Sequence, residues 1–124
     1  MAEKIRTPAQ HLEDFLNAVD QCAKDYQYSS GIVSEEDKRL LDLVHEMEFA
    51  ADSKERNRVA TKMHNSRVLR RQNKDIVKQN ELLVKFFEEP ENRKVLNKLR
   101  QLLGRQRKEE EYLASDRTYK PRVK

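Results

Sequence analysis

The stretch from Ser53 to Glu89 most constrains the fold of this chain, because its 37 residues contain no glycine or proline. Apolar residues recur along it at helical spacing, which predicts one long helix over about residues 53–88. Between Lys54 and Lys78 there are nine basic residues and only two acids. A long, basic and thinly hydrophobic helix suits contact with a second copy of the chain, a partner protein or a phosphate backbone.

The other apolar residues predict three further helices, over about residues 8–27, 35–51 and 91–114. Thr7, Pro8 and Gln10 form a capping box with proline at the first helical position, and the loop around Gly31 should end the first helix. Residues 115–124 lack a helical pattern and are predicted to form an extended basic tail. We therefore expect an all-α fold with one domain over residues 1–114. It would be an elongated bundle of about four helices with the long, coiled-coil-like helix as its spine.

The junction near residue 52 has two possible interpretations. Asp52 and Glu55 have the spacing of a second capping box, which favours a break between the second and third helices. The alternative is one continuous helix from residue 35 to residue 88, because the apolar pattern runs on through the junction.

The long helix also carries a heptad pattern that asparagine interrupts. Val59, Ser66, Asn73, Asn80 and Phe87 share one heptad position. This narrow stripe is typical of a coiled coil, in which buried asparagines fix the register between copies. We predict a homo-oligomer whose seam includes Leu69, Asn73, Ile76, Asn80 and Leu83. In the alternatives, both asparagines face solvent or bond to a neighbouring helix of the same chain.

A second set of residues on this helix forms a row of positive charge. Arg67, Arg71, Lys74 and Lys78 follow at spacings of 4, 3 and 4, and Arg70 flanks them. We call these five residues the basic ridge. It is predicted to bind a protein partner or, alternatively, a nucleic acid, whose binding would weaken steeply with salt. Residues 1–53 carry a net charge of −7, and the alternative is that the ridge pairs with the acidic N-terminal helices.

Catalytic and membrane functions find little support in the sequence. No phosphate-binding glycine loop or nucleophile motif is present, and the single cysteine excludes an intramolecular disulfide framework. Asp42, His45 and Glu48 could line one side of a helix as a metal site, but a single helix rarely completes one. No apolar run approaches ~18 residues, which predicts a cytoplasmic protein outside the membrane. We expect a non-enzymatic protein without a metal or cofactor.

The C-terminal half has a distinctive order of features: the basic helix, a leucine-rich helix ending Leu-Leu-Gly-Arg-Gln-Arg-Lys, and the tail Arg117-Thr-Tyr-Lys-Pro-Arg-Val123. In these features it resembles small uncharacterised helical proteins encoded by phages and prophages. The resemblance implies an accessory or inhibitor protein that acts on a host or defence protein. It transfers no catalytic residue and does not extend to the acidic N-terminal half.

Overall fold

The structure, a computed structural model, describes residues 5–118, 121 and 123 and is all-α in this part of the chain. Its three helices are α1 (Pro8–Glu48), α2 (Ser53–Glu88) and α3 (Pro90–Ala114). The predicted tail over 115–124 has no helix where it is described, and its residues 119, 120, 122 and 124 lie outside the described residues.

Helix α1 replaces the two helices that the sequence predicts over 8–27 and 35–51, so the predicted loop around Gly31 is wrong. A glycine inside a helix costs only about 1 kcal/mol relative to alanine. Against that cost, Ser29 and Glu36 are both 2% exposed and lie seven residues apart, on one helix face. A continuous helix keeps both of them on the buried face, and Gly31 has no positive φ that would require a turn.

The helix starts follow from their capping residues. At the start of α1 the backbone N–H of Gln10 donates to Thr7 Oγ1 (3.3 Å), and Thr7 N–H donates to Gln10 Oε1 (2.9 Å). The helix is interrupted between α1 and α2, and at the start of α2 the backbone N–H of Glu55 donates to Asp52 Oδ1 at 2.8 Å. The predicted break is therefore present, and one helix from 35 to 88 is excluded.

Proline separates α2 from α3. Pro90 lies in the first turn of α3, and Glu89 before it is extended, with φ −60° and ψ 132°. Proline lacks an N–H and restricts the residue before it to extended backbone, so α2 ends at Glu88.

The described helices belong to two compact units, to both of which α1 contributes. In the first, residues up to Ala18 contact residues from Phe87 onward. Leu16, Leu96 and Leu103 are its buried leucines. Glu13 forms a salt bridge with Arg107 (3.0 Å) in this unit.

The second unit, Val19–Phe86, is an antiparallel hairpin of α1 and α2, which we call the hairpin. Ser66 Oγ donates to Glu36 Oε2 at 2.6 Å, which sets the register. Counting seven residues each way along the two helices places Val59 level with Leu43 and Asn73 level with Ser29. Leu43 and Val59 are buried, as are Glu36, Ser66, Ser29 and Asn73, so the hairpin core has one apolar layer and two polar layers.

Candidate interaction surface on helix α2

The basic ridge lies along one edge of the hairpin. Arg67, Arg71, Lys74 and Lys78 are exposed, and Arg70 is partly buried against α1. From residue 67 to residue 78 the ridge extends for roughly 16 Å along the helix axis, at ~1.5 Å per residue. It borders an open recess of about 660 Å³, whose other lining residues are Asp37, Leu40 and Asp75.

Pairing with the acidic helix α1 neutralises only a small part of this charge. Arg70 Nε lies 2.6 Å from Asp37 Oδ1. On the opposite edge of the hairpin, Lys62 Nζ lies 3.8 Å from Glu46 Oε1. Within the described residues these are the two contacts within 4 Å between the nine basic residues and acids of α1. Surface pairs of this kind contribute only about 0–1 kcal/mol each.

The remaining ridge cations differ in their surroundings. Lys78 lies 3.5 Å from Glu81, and Lys85 donates to the same carboxylate at 2.9 Å. The hydrogen bond from Lys85, followed by the charge of Lys78, lowers the pKa of Glu81. Within the described residues, Arg67, Arg71 and Lys74 have no acidic partner within 4 Å. The middle of the ridge is therefore open to an external anion.

The predicted oligomer seam is divided between the inside and the outside of the hairpin. Asn73 is buried (6% exposed) and Asn80 half-buried, and their amides donate to the backbone oxygens of Leu69 (2.9 Å) and Ile76 (2.8 Å). Both side chains thus bond to their own helix, which neither sequence-based alternative described. In contrast, Leu69 (39%) and Leu83 (51%) are exposed, and Ile76 is half-buried.

The structure also shows a buried carboxylate that sequence reasoning did not single out. Glu36 is 2% exposed, and its two oxygens are held by the Ser66 hydroxyl and by the guanidinium of Arg39. A heptad count on α1 would have found it, because Glu36 stands seven residues from Ser29 and from Leu43. The place of Asp37 beside the ridge depends on how α1 packs against α2, and no count along one helix gives it.

The three candidate metal ligands on α1 do not form a metal site in the part of the chain that the structure describes. Asp42, His45 and Glu48 are all exposed, with His45 Nδ1 3.6 Å from Glu48 Oε2. No group of three His, Cys, Asp or Glu side chains there could hold a metal ion. Among the same residues, no helix is both long and apolar enough to cross a membrane.

No protein-family model matches the sequence, and neither the curated proteins nor the solved structures give a significant match.

Proposed function

We propose that this chain is a non-enzymatic helical interaction module that binds an acidic protein partner through the basic ridge. The observation that carries the proposal is the open middle of the ridge, where Arg67, Arg71 and Lys74 are exposed and lack an acidic partner within the described residues. The helix fixes the backbone and the spacing of these three cations, so only their side chains have to be ordered on binding, and their common charge favours a charge-complementary partner.

The chemistry of the recess favours a protein over a nucleic acid. Asp37 and Asp75 line it together with the cations, and their carboxylates would repel a continuous row of phosphates. Leu40 adds an apolar contact that a phosphate backbone cannot use. An amphipathic helix with acids beside leucines would satisfy both kinds of lining residue.

Nucleic-acid binding remains the second candidate because the cations form a straight row. If all five ridge residues neutralised phosphates of a duplex, its affinity would fall about 500-fold between ~50 and ~200 mM salt. That steep dependence gives the alternative its own signature.

The resemblance of the C-terminal half to small phage and prophage proteins adds a proposal about the biological class. The chain would be an accessory or inhibitor protein of the phage type, with a host or defence protein as its partner. Assembly into a homo-oligomer is part of the proposal, because nine large apolar residues of the hairpin are exposed and only two apolar residues are buried.

A titration with three probes tests the proposed function. The first is a helical peptide with glutamates and leucines on adjacent stripes, the second replaces its leucines with glutamine, and the third is a short DNA duplex. We expect the first peptide to bind most tightly, and the triple substitution Arg67→Glu, Arg71→Glu, Lys74→Glu to abolish that binding. Tighter, steeply salt-dependent binding of the duplex would instead support the nucleic-acid candidate.

The chain offers a matched control for this experiment. Lys54→Glu, Arg56→Glu and Arg58→Glu change the net charge equally, on exposed residues at the start of the same helix but away from the recess. This variant should retain peptide binding. Equal loss in both triple variants would mean that net charge, rather than the ridge, attracts the peptide, and the proposal would fail.

A further inference from the structure

The edge of α2 that faces away from the basic ridge carries apolar and uncharged polar residues. Leu69, Gln72, Ile76, Gln79 and Leu83 recur there at alternating spacings of 3 and 4, and we call them the neutral face. At about 100° per residue, its leucines and isoleucine lie on one side of Asn73, and Lys74 and Lys78 lie on the other.

The interhelical salt bridges support this division into two edges. Lys62 precedes Leu69 by seven residues and pairs with Glu46, so the neutral face continues the edge that this pair occupies. Arg70 pairs with Asp37 on the other edge, beside the ridge. A partner seated on the neutral face would therefore leave the ridge uncovered.

We infer that the neutral face is the surface through which two copies of this chain associate, with Gln72 and Gln79 in place of the predicted asparagines at the polar seam positions. Asn73 and Asn80 use their amides on their own helix, and Asn73 is buried inside the hairpin. Gln72 and Gln79 are exposed and have no side-chain hydrogen bond within the described residues. Their position completes the two-per-heptad pattern of a coiled coil.

The chemistry of the neutral face fits a second copy. None of its five residues is charged, so two identical faces meet without like-charge repulsion, which two basic ridges could not do. Glutamine both donates and accepts hydrogen bonds, so facing copies can pair. Leu69 and Leu83 are 39% and 51% exposed and would gain burial on association.

A consequence for binding follows from the geometry. Because the ridge lies on the far side of α2, a dimer built on the neutral face would present two open ridges. A partner with two acidic segments would then gain affinity from simultaneous binding, provided that its linker spans the distance between the ridges. This part of the inference rests on the proposed function of the ridge, whereas the choice of the neutral face as the contact between copies does not.

Neighbouring leucines provide the decisive comparison. Leu83→Glu puts a charge into the neutral face, and Leu82→Glu puts the same charge next to it, on a residue that is 83% exposed and points about 100° away. In light scattering and sedimentation equilibrium, wild type and Leu82→Glu should have twice the chain mass of 14.8 kDa. Leu83→Glu should weaken association by roughly 100-fold or more, because each interface would bury two unpaired charges.

Other results would overturn the inference. A wild-type monomer at every concentration would refute it, as would equal weakening by Leu82→Glu and Leu83→Glu. Circular dichroism must show that helix content is unchanged. Gln72→Leu with Gln79→Leu provides a second arm and should strengthen association at least about tenfold. Weakening by that pair would also refute the neutral face.

The ridge and the neutral face can be tested separately. Monomeric Leu83→Glu should still bind the acidic leucine peptide, because its ridge is intact. Failure of wild-type dimerisation with retained peptide binding would reject the neutral face and the proposed assembly, and would leave the proposed binding of a partner by the ridge standing. A stable wild-type dimer that does not bind the peptide would reject binding by the ridge and leave the neutral face standing.

Discussion

Replacing Ser66 with alanine should destabilise the hairpin far more than the loss of a single hydroxyl suggests. Ser66 Oγ donates to Glu36 Oε2 at 2.6 Å, and both side chains are buried, at 5% and 2% exposure. Alanine removes the donor but leaves the carboxylate oxygen in the core. Water cannot easily replace the lost bond, because Glu36 has almost no contact with solvent.

The expected size of the effect follows from that geometry. A hydrogen bond to a charged group contributes about 1.5–3 kcal/mol, and an unsatisfied buried partner costs at least as much. Arg39 still holds the other oxygen of Glu36, which keeps the loss within that range. We therefore expect the free energy of unfolding to fall by about 2 kcal/mol. For a chain of this size that lowers Tm by about 8 °C.

Chemical denaturation followed by far-UV circular dichroism measures this change. Thr61→Ala is the matched control, because Thr61 is exposed on the same helix and its hydroxyl donates only to Asn57 O, at 3.0 Å. It should change stability by less than about 0.5 kcal/mol. Combining Glu36→Leu with Ser66→Ala removes both partners and should recover much of the loss. If Ser66→Ala matched Thr61→Ala, or if the double variant were the least stable, the assignment of a buried, hydrogen-bonded carboxylate would be refuted.

Three further substitutions test other parts of the structure. The hydroxyl of Thr7 and then the amide of Gln106 lower the pKa of Glu110, so its stabilising effect is complete above the usual glutamate range and is lost as pH falls through the lowered pKa. Glu110→Gln should flatten the acid side of a Tm-against-pH curve, whereas the exposed neighbour Glu109→Gln should not; equal curves would contradict this. Gly31→Ala should raise the free energy of unfolding in urea by about 1 kcal/mol, because an added Cβ meets no atom within 4 Å. Asn73→Leu should raise it by roughly 1 kcal/mol through added apolar burial, and destabilisation would show that the amide is needed.

The heptad pattern found the buried residues of α2 at one of its two seam positions, whereas Leu69 and Leu83 at the other position are exposed. Val59, Ser66 and Asn73 are the buried residues of this helix, and all three belong to the predicted seam position. The pattern could not tell what covers them, because a seven-residue repeat suits a helix of the same chain as well as one from a second copy. The Asp37–Arg70 and Glu46–Lys62 pairs show that α1 covers this position.

The prediction of a loop at Gly31 was wrong because it relied on single residues that permit a helix end without requiring one. Gly31 and the capping residues near Ser34 indicate where a helix can end at little cost, but they do not enforce an end. Ser29 and Glu36 are buried but polar, so a search for apolar residues at helical spacing does not find the buried face that they share. At Asp52 the same kind of signal succeeded, since the chain must turn there for α2 to pack on α1.

The buried seam of the hairpin is polar over much of its length, and apolar residues lie beside it on α2. At the levels of Ser66 and Asn73 the buried seam holds polar side chains, which add little hydrophobic stabilisation. The apolar residues Leu69 and Ile76 of this stretch lie on the neutral face, next to the seam. Burial of that edge on a second copy would supply stabilisation that the internal seam lacks, without using the ridge. Under the two proposals, three sides of one helix would have separate roles: the buried seam packs against α1, the neutral face would join two copies, and the basic ridge would stay open for the partner.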